Sequence, residues 1–317
     1  LVIFFLILFL EILFNYFKLS GLMGIQNDLI YNKNNQMFLH SNKEGLVFNE
    51  KIFTDKYGFR VPYKNYNYKK KNRTFILGDS VAFGNGIREE ETFIGLLRQE
   101  ITNREFINSS VPGYQLKDYI NIIQRVEKFK NVTEVIYFFT LNDIYSVSNV
   151  LNIDKKIEGE QKTNEGSFIL KNIKFINNIN IYLRNKSYLY MLLKGLGTDP
   201  SKRWFLNLFQ EYEKINSKDI EKNLNIINKF VKSKKLLFKV IILPYEYQTR
   251  YCSTDILLPQ NQIVTILENL KIEYFDTTNT FCSKENPKNY YYKFDPMHLS
   301  KKGHKLMYEY LINEVNF

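Results

Sequence analysis

Four short segments of this 317-residue chain carry side chains that could make or break a covalent bond. Gly78-Asp79-Ser80 follows the apolar run Thr74-Phe75-Ile76-Leu77. A serine on a sharp strand-to-helix turn projects its hydroxyl, while its own N–H faces the same space. Such a turn could also cradle a phosphate. No Lys-Ser/Thr pair follows Gly84, however, and the Gly-x-Gly-x-x-Gly order is missing, so neither a P-loop nor a dinucleotide fingerprint is present. Asp295-Pro296-Met297-His298 sets a carboxylate close to an imidazole on a turn. Side by side, the carboxylate can fix the ring tautomer and stabilise the imidazolium formed in proton transfer. The plainer reading of Asp295 is a helix N-cap, a task that Ser300 can also perform. Asn108-Ser109-Ser110-Val111-Pro112-Gly113 and Thr140-Leu141-Asn142-Asp143 offer a glycine N–H and an asparagine amide. Donors placed where negative charge develops are each worth about 3–4 kcal/mol of an acyl-transfer barrier. Any histidine base must be His40, His298 or His304, because the chain has no other.

The elements that would position these residues follow a regular pattern. Short apolar runs at Thr74–Leu77, Glu105–Asn108, Val135–Phe139, Lys239–Leu243 and Ile272–Phe275 read as strands. Amphipathic stretches at Glu91–Ile101, Gln115–Lys130, Lys218–Val231, Gln260–Leu270 and Ser300–Val315 read as helices between and after them. Continuous apolar strands alternating with helices predict a parallel sheet covered on both faces, a three-layer αβα sandwich with right-handed crossovers. In such sheets function collects beyond the C-terminal ends of the strands, and all four motifs lie there.

In this order and context the motifs resemble the SGNH (GDSL-type) serine hydrolase family, whose four blocks contribute Ser, Gly, Asn and His. The matching residues are Ser80, Gly113, Asn142 and His298 with Asp295, and the resemblance covers roughly residues 73 to 317. It implies a flavodoxin-like, five-stranded parallel sheet in the order 2-1-3-4-5. It also implies a catalytic triad of Ser80, His298 and Asp295, with an oxyanion hole formed by the N–H groups of Ser80 and Gly113 and the Asn142 amide. Thr140 departs from the family, where many members carry glycine. Asp79 reads as a structural hydrogen-bonder, His304 as a residue of the last helix without chemical role, and His40 as a linker residue without an identified partner.

Outside these motifs, Leu1 to Phe17 is apolar except for Glu11 and Asn15, which predicts a transmembrane anchor over residues 1–19. Residues upstream of Leu1 would carry Glu11 from mid-membrane towards an interface. Residues 20–72 are Asn- and Lys-rich and read as a linker with a small docking element, Gly58-Phe59-Arg60. The SGNH-like domain takes up 73–317, and the alternation breaks at 146–216. There a charged loop, Asp154 to Glu165, precedes apolar segments at 168–170 and 188–196 and the single tryptophan, Trp204. This insertion is either a cap over the site or a helical packing insert. Tyr247, Gln248, Arg250 and Tyr292 fall near the same rim as candidate substrate contacts, aromatic faces for sugar rings and Arg250 for an acidic group.

Composition narrows the function. The net charge of +11 is spread along the whole chain, which argues against a nucleic-acid footprint. Cys252 and Cys282 are too few for a disulfide scaffold and wrongly spaced for zinc; they form either one disulfide between two loops or two buried thiols. The expectation is a membrane-anchored bacterial esterase, its catalytic domain extracytoplasmic, removing O-acyl, above all O-acetyl, groups from a cell-surface or exported polysaccharide. It needs no metal or cofactor. The alternatives are a glycan O-acetyltransferase with the same triad, an esterase acting on lipid, and a non-catalytic glycan-binding or assembly protein on this fold.

Overall fold

The computed structural model describes residues 2–17, 25–34, 36–146, 178–180 and 182–317. The expected charged loop Asp154–Glu165 and the apolar segment 168–170 lie outside them. Strands β1 (Ile30–Lys33), β2 (Gln36–Leu39), β3 (Glu44–Val47), β4 (Glu50–Thr54) and β5 (Arg60–Val61) precede β6 (Asn72–Leu77) and β7 (Arg104–Asn108). Strands β8 (Val132–Thr140), β9 (Leu237–Leu243) and β10 (Glu273–Asp276) follow. The helices are α1 (Val2–Phe17), α2 (Ser80–Phe83), α3 (Phe93–Glu100), α4 (Leu116–Ile122), α5 (Tyr188–Gly197) and α6 (Pro200–Lys214). They continue as α7 (Ser217–Ser233), α8 (Glu246–Tyr251), α9 (Leu258–Asn269), α10 (Thr278–Cys282) and α11 (Lys301–Glu314).

Strands β7-β6-β8-β9-β10 run parallel in that spatial order, which is the expected 2-1-3-4-5. Their residues alternate between two cores. Val135, Tyr137 and Phe139 of β8 enter one, with Phe75 and Leu77 of β6, under helices α4, α7 and α9. Ile136, Phe138 and Ile76 enter the other, under Phe93 and Leu97 of α3 and Met307 and Leu311 of α11. Burying both faces is what makes these strands continuous apolar runs, each such side chain contributing about 1.5–3 kcal/mol.

The sheet is larger than expected, with eight strands. Strands β5, β4 and β3 add to the edge at β7, antiparallel throughout, and come from the segment read as a linker. Half-buried alternation places Gly45 and Val47 of β3 and Ile52 and Thr54 of β4 inward. Gly58-Phe59-Arg60 does dock. Phe59 joins the core, and the fully buried Arg60 donates to the carbonyls of Phe83 (2.6 Å), Gly84 (2.7 Å) and Ile87 (2.5 Å). Glu89 neutralises that guanidinium at 2.9 Å and also pairs with Arg98.

The expected transmembrane anchor finds no support among the described residues. Helix α1 has 16 residues, about 24 Å at the usual rise, and no helix among the described residues is long and apolar enough to cross a membrane. Glu11 has a tertiary task. Its carboxylate accepts from the Ser187 hydroxyl and the Tyr188 N–H, both at 2.7 Å, and from the Leu189 N–H at 3.2 Å. A negative charge at the start of α5 satisfies orphan donors and complements the helix dipole.

Candidate active site

The turn after β6 is built for close approach. A Cβ at Gly78 would stand 2.5 Å from Ala82 Cβ and 3.1 Å from Ser110 Oγ, so a side chain there would displace α2. Asp79 caps α2, accepting from the Val81 N–H at 2.9 Å, and Gly84 closes the helix in the left-handed region at φ +81°. Ser80 is the first residue of this short helix. The loop after β7 is tied to the same turn by the Val111 N–H, 3.2 Å from the Gly78 carbonyl.

More than two hundred residues later, the turn before α11 delivers the partners. Asp295 Oδ1 accepts from the backbone N–H groups of Met297 (2.9 Å) and His298 (2.8 Å), which fixes the carboxylate. Its other oxygen lies 2.8 Å from His298 Nδ1, and His298 Nε2 lies 2.8 Å from Ser80 Oγ. Ser300 caps α11 through the Gly303 N–H, so Asp295 is not that helix's cap. Since a carboxylate only accepts, Nδ1 carries the proton and the Ser80 hydroxyl donates to Nε2. All three residues are buried. Burial works against the Asp295 charge, but His298 and the backbone N–H groups outweigh it and hold the carboxyl below its usual range. Burial likewise works against His298 protonation, and Asp295, with Asp79 adding to it, raises the imidazole above 6.5.

Asn142 lies beside this row, its amide nitrogen 3.5 Å from Asp79 Oδ2. The Tyr245 hydroxyl donates to the Asn142 carbonyl oxygen at 3.0 Å, which orients the amide. Gly113 sits in the loop after β7 at φ +83° with open space around it. Beneath Ser80, the Thr140 hydroxyl stands 2.9 Å from Asp79 Oδ2 and 3.2 Å from Asp143 Oδ1. Burial, with the charge of Asp79, pushes Asp143 well above the usual carboxylate range. Tyr137 also donates to Asp143 at 2.6 Å. Thr140 thus bridges two buried acids, and the Asp79 side chain accepts from the Val81 N–H and the Thr140 hydroxyl.

Of the rim candidates, two are reassigned. Gln248 is fully buried, its amide paired with Gln260 and the Ile256 carbonyl. Arg250 is already committed: it pairs with Glu246 (2.7 and 2.6 Å) and with Asp199 (2.5 and 3.0 Å), latching the start of α6 to α8. Tyr247 packs on Phe205 of α6 at 5.4 Å, whereas Tyr292 stays half-buried beside the His298 turn. Helix α6 also reaches the Asn142 loop and the Asp295 turn, through the Tyr212 hydroxyl to the Leu141 carbonyl (2.9 Å) and the Ser201 hydroxyl to that of Asp295 (3.2 Å). Cys252 and Cys282 form a disulfide with Cα atoms 6.0 Å apart. His304 accepts the Phe93 N–H, and His40 is exposed beside Tyr31. Among the described residues no group of three or more His, Cys, Asp or Glu side chains could hold a metal ion.

Sequence reasoning missed Phe48, whose ring meets the His298 imidazole edge to face at 5.2 Å, and the tie between Tyr245 and Asn142. Tyr245 directly follows β9 and Pro244, at the strand end where such residues collect, but nothing local points to Phe48. No family model and no curated protein matches the sequence. Solved structures do. A lipase/acylhydrolase from Enterococcus faecalis is 14% identical with a TM-score of 0.46, over 77% of this chain and 95% of its own. A member of the lipolytic protein G-D-S-L family from Veillonella parvula gives 12% and 0.45, over 77% and 97%. An acetyl xylan esterase gives 15% and 0.45, over 77% and 100%.

Proposed function

We propose that this chain is a serine ester hydrolase of the SGNH type. The observation that carries the reading is the series Ser80 Oγ, His298 Nε2, His298 Nδ1, Asp295 Oδ2, with both hydrogen bonds at 2.8 Å. The Ser80 oxygen attacks the ester carbonyl while His298 takes its proton. The tetrahedral intermediate collapses, the alcohol leaves with that proton, and the acyl group stays on Ser80. His298 then deprotonates a water, which attacks the acyl-enzyme, releases the acid and restores the serine. Asp295 holds the ring and the charge it acquires. The N–H groups of Ser80 and Gly113 and the Asn142 amide supply the oxyanion hole.

The substrate in this reading is an O-acyl, above all O-acetyl, ester on a cell-surface or exported polysaccharide. Its support is the aromatic border formed by Phe48 and Tyr292 beside His298. The Cys252–Cys282 disulfide supports an extracytoplasmic catalytic domain, because such bonds persist in oxidising compartments. Acetate release from acetylated glycans, compared between wild type and Ser80→Ala, tests the proposal. Release by the wild type alone supports it. Transfer to an added glycan would make the chain an O-acetyltransferase, and no turnover and no labelling by a fluorophosphonate would leave only a binding role.

A further inference from the structure

Val47 pairs with Glu50, so Phe48 and Asn49 form a two-residue hairpin turn between β3 and β4. Both have positive φ, 49° and 61°, as the turns that suit strand twist require. Asparagine and glycine accept this conformation readily, whereas a bulky side chain adopts it against its own sterics. Phe48 is therefore a poor residue for making the hairpin. Its ring lies half-exposed against the imidazole of His298, with centroids 5.2 Å apart and planes at 70°. A disfavoured backbone conformation kept over a reacting group is an outlier from which a role is inferred.

The tip is held from two sides. Asn49 Nδ2 donates to the Tyr188 hydroxyl on α5 at 3.2 Å. A Cβ built at Gly86 would lie 3.2 Å from Phe48 Cβ and 2.6 Å from the Tyr292 hydroxyl, so Phe48, Tyr292 and the loop after α2 converge there. His298 must hand its proton to the departing alcohol, which therefore passes within hydrogen-bond reach of the imidazole. A ring packed on that imidazole borders the alcohol's path. The carbonyl oxygen goes instead to Asn142 and Gly113, on other loops.

We propose that Phe48 is a specificity-determining residue that contacts the alcohol portion of the ester, its half-exposed ring offering a surface to the apolar face of a sugar. This rests on the esterase reading above. The experiment compares wild type, Phe48→Asn and Phe48→Gly on two substrate series. One varies the acyl group (p-nitrophenyl acetate, butyrate and octanoate). The other varies the alcohol (ethyl acetate, p-nitrophenyl acetate and a peracetylated methyl xyloside). Preference for the acetylated sugar over ethyl acetate, as a ratio of kcat/KM, is expected to fall about tenfold or more in both variants, while the acyl ratios hold. The Tm of Phe48→Asn is expected to equal or exceed that of wild type, because asparagine suits the turn. Unchanged alcohol ratios, a shift in the acyl ratios instead, or a lower Tm in both variants would overturn the proposal. A wild type that hydrolyses none of these esters would remove the esterase reading itself, whereas an active wild type with unmoved ratios would remove only Phe48.

Discussion

His298 and His304 stand on consecutive elements, both enclosed by protein, and their protonation is shifted in opposite directions. At His304 burial is joined by the positive charges of Arg60 and His298, and the imidazole is pushed down to about 3. It stays neutral, accepts the Phe93 N–H at 3.2 Å and stacks on the Phe93 ring. At His298 the same burial is outweighed by Asp295, and the imidazole rises above 6.5. Burial alone makes a core acceptor of a histidine. A carboxylate within reach makes it a base whose charged form the protein stabilises.

Removing the reacting atoms tests that contrast hardest. His298→Ala, like Ser80→Ala, is expected to lower kcat on p-nitrophenyl acetate by about 10⁶-fold, while His304→Ala leaves kcat unchanged in the same assay. Asp295→Asn should turn His298 into a second His304. A kcat loss of about 10⁴-fold is expected, together with an imidazole that titrates below 6.5 by NMR. In the wild type the base must be neutral, so kcat/KM climbs with pH, and the midpoint of the climb is expected above 6.5. A midpoint below that value would break the assignment.

The smallest effect is on stability, and its sign differs between the two histidines. The folded pKa of His304 is depressed, so the unfolded chain binds its proton first and stability is lost as pH falls from 6.5 towards about 3. His298 is raised, so its contribution is full below 6.5 and is lost as pH climbs through the folded value. Urea denaturation of His304→Leu is expected to show a flatter acid slope. It should also show a loss of about 1–3 kcal/mol at neutral pH from the unpaired Phe93 N–H.

What the sequence made legible was local. Ser80 and Asn142 are each set by a turn at a strand end and the Asp295–His298 pair by the turn before the last helix, and the alternation of apolar runs announces those elements. Partners brought by tertiary contact were not legible. Nothing near Glu11 in its apolar run tells that its carboxylate meets the start of α5. Arg250 and Gln248 have the right types for a substrate rim, but only the fold reveals that Asp199, Glu246 and Gln260 already occupy them. Strands β3 to β5 are short and sit among Asn and Lys residues, so their period was too brief to separate from a solvated linker. Phe48 reaches His298 across 250 positions of chain, a distance at which no pattern speaks.

Arg60 has a practical consequence for anyone producing the protein in pieces. A recombinant fragment starting at Arg73, where the motif-bearing part begins, would contain Ser80, Asn142, Asp295 and His298. It would nevertheless strip the donor from three carbonyls at and after α2. It would also bare the β7 edge to other molecules and leave Glu89 facing Arg98 alone. Such a truncation should come out insoluble or inert with its chemistry intact on paper, so the place to begin an expression clone lies upstream of the hairpin.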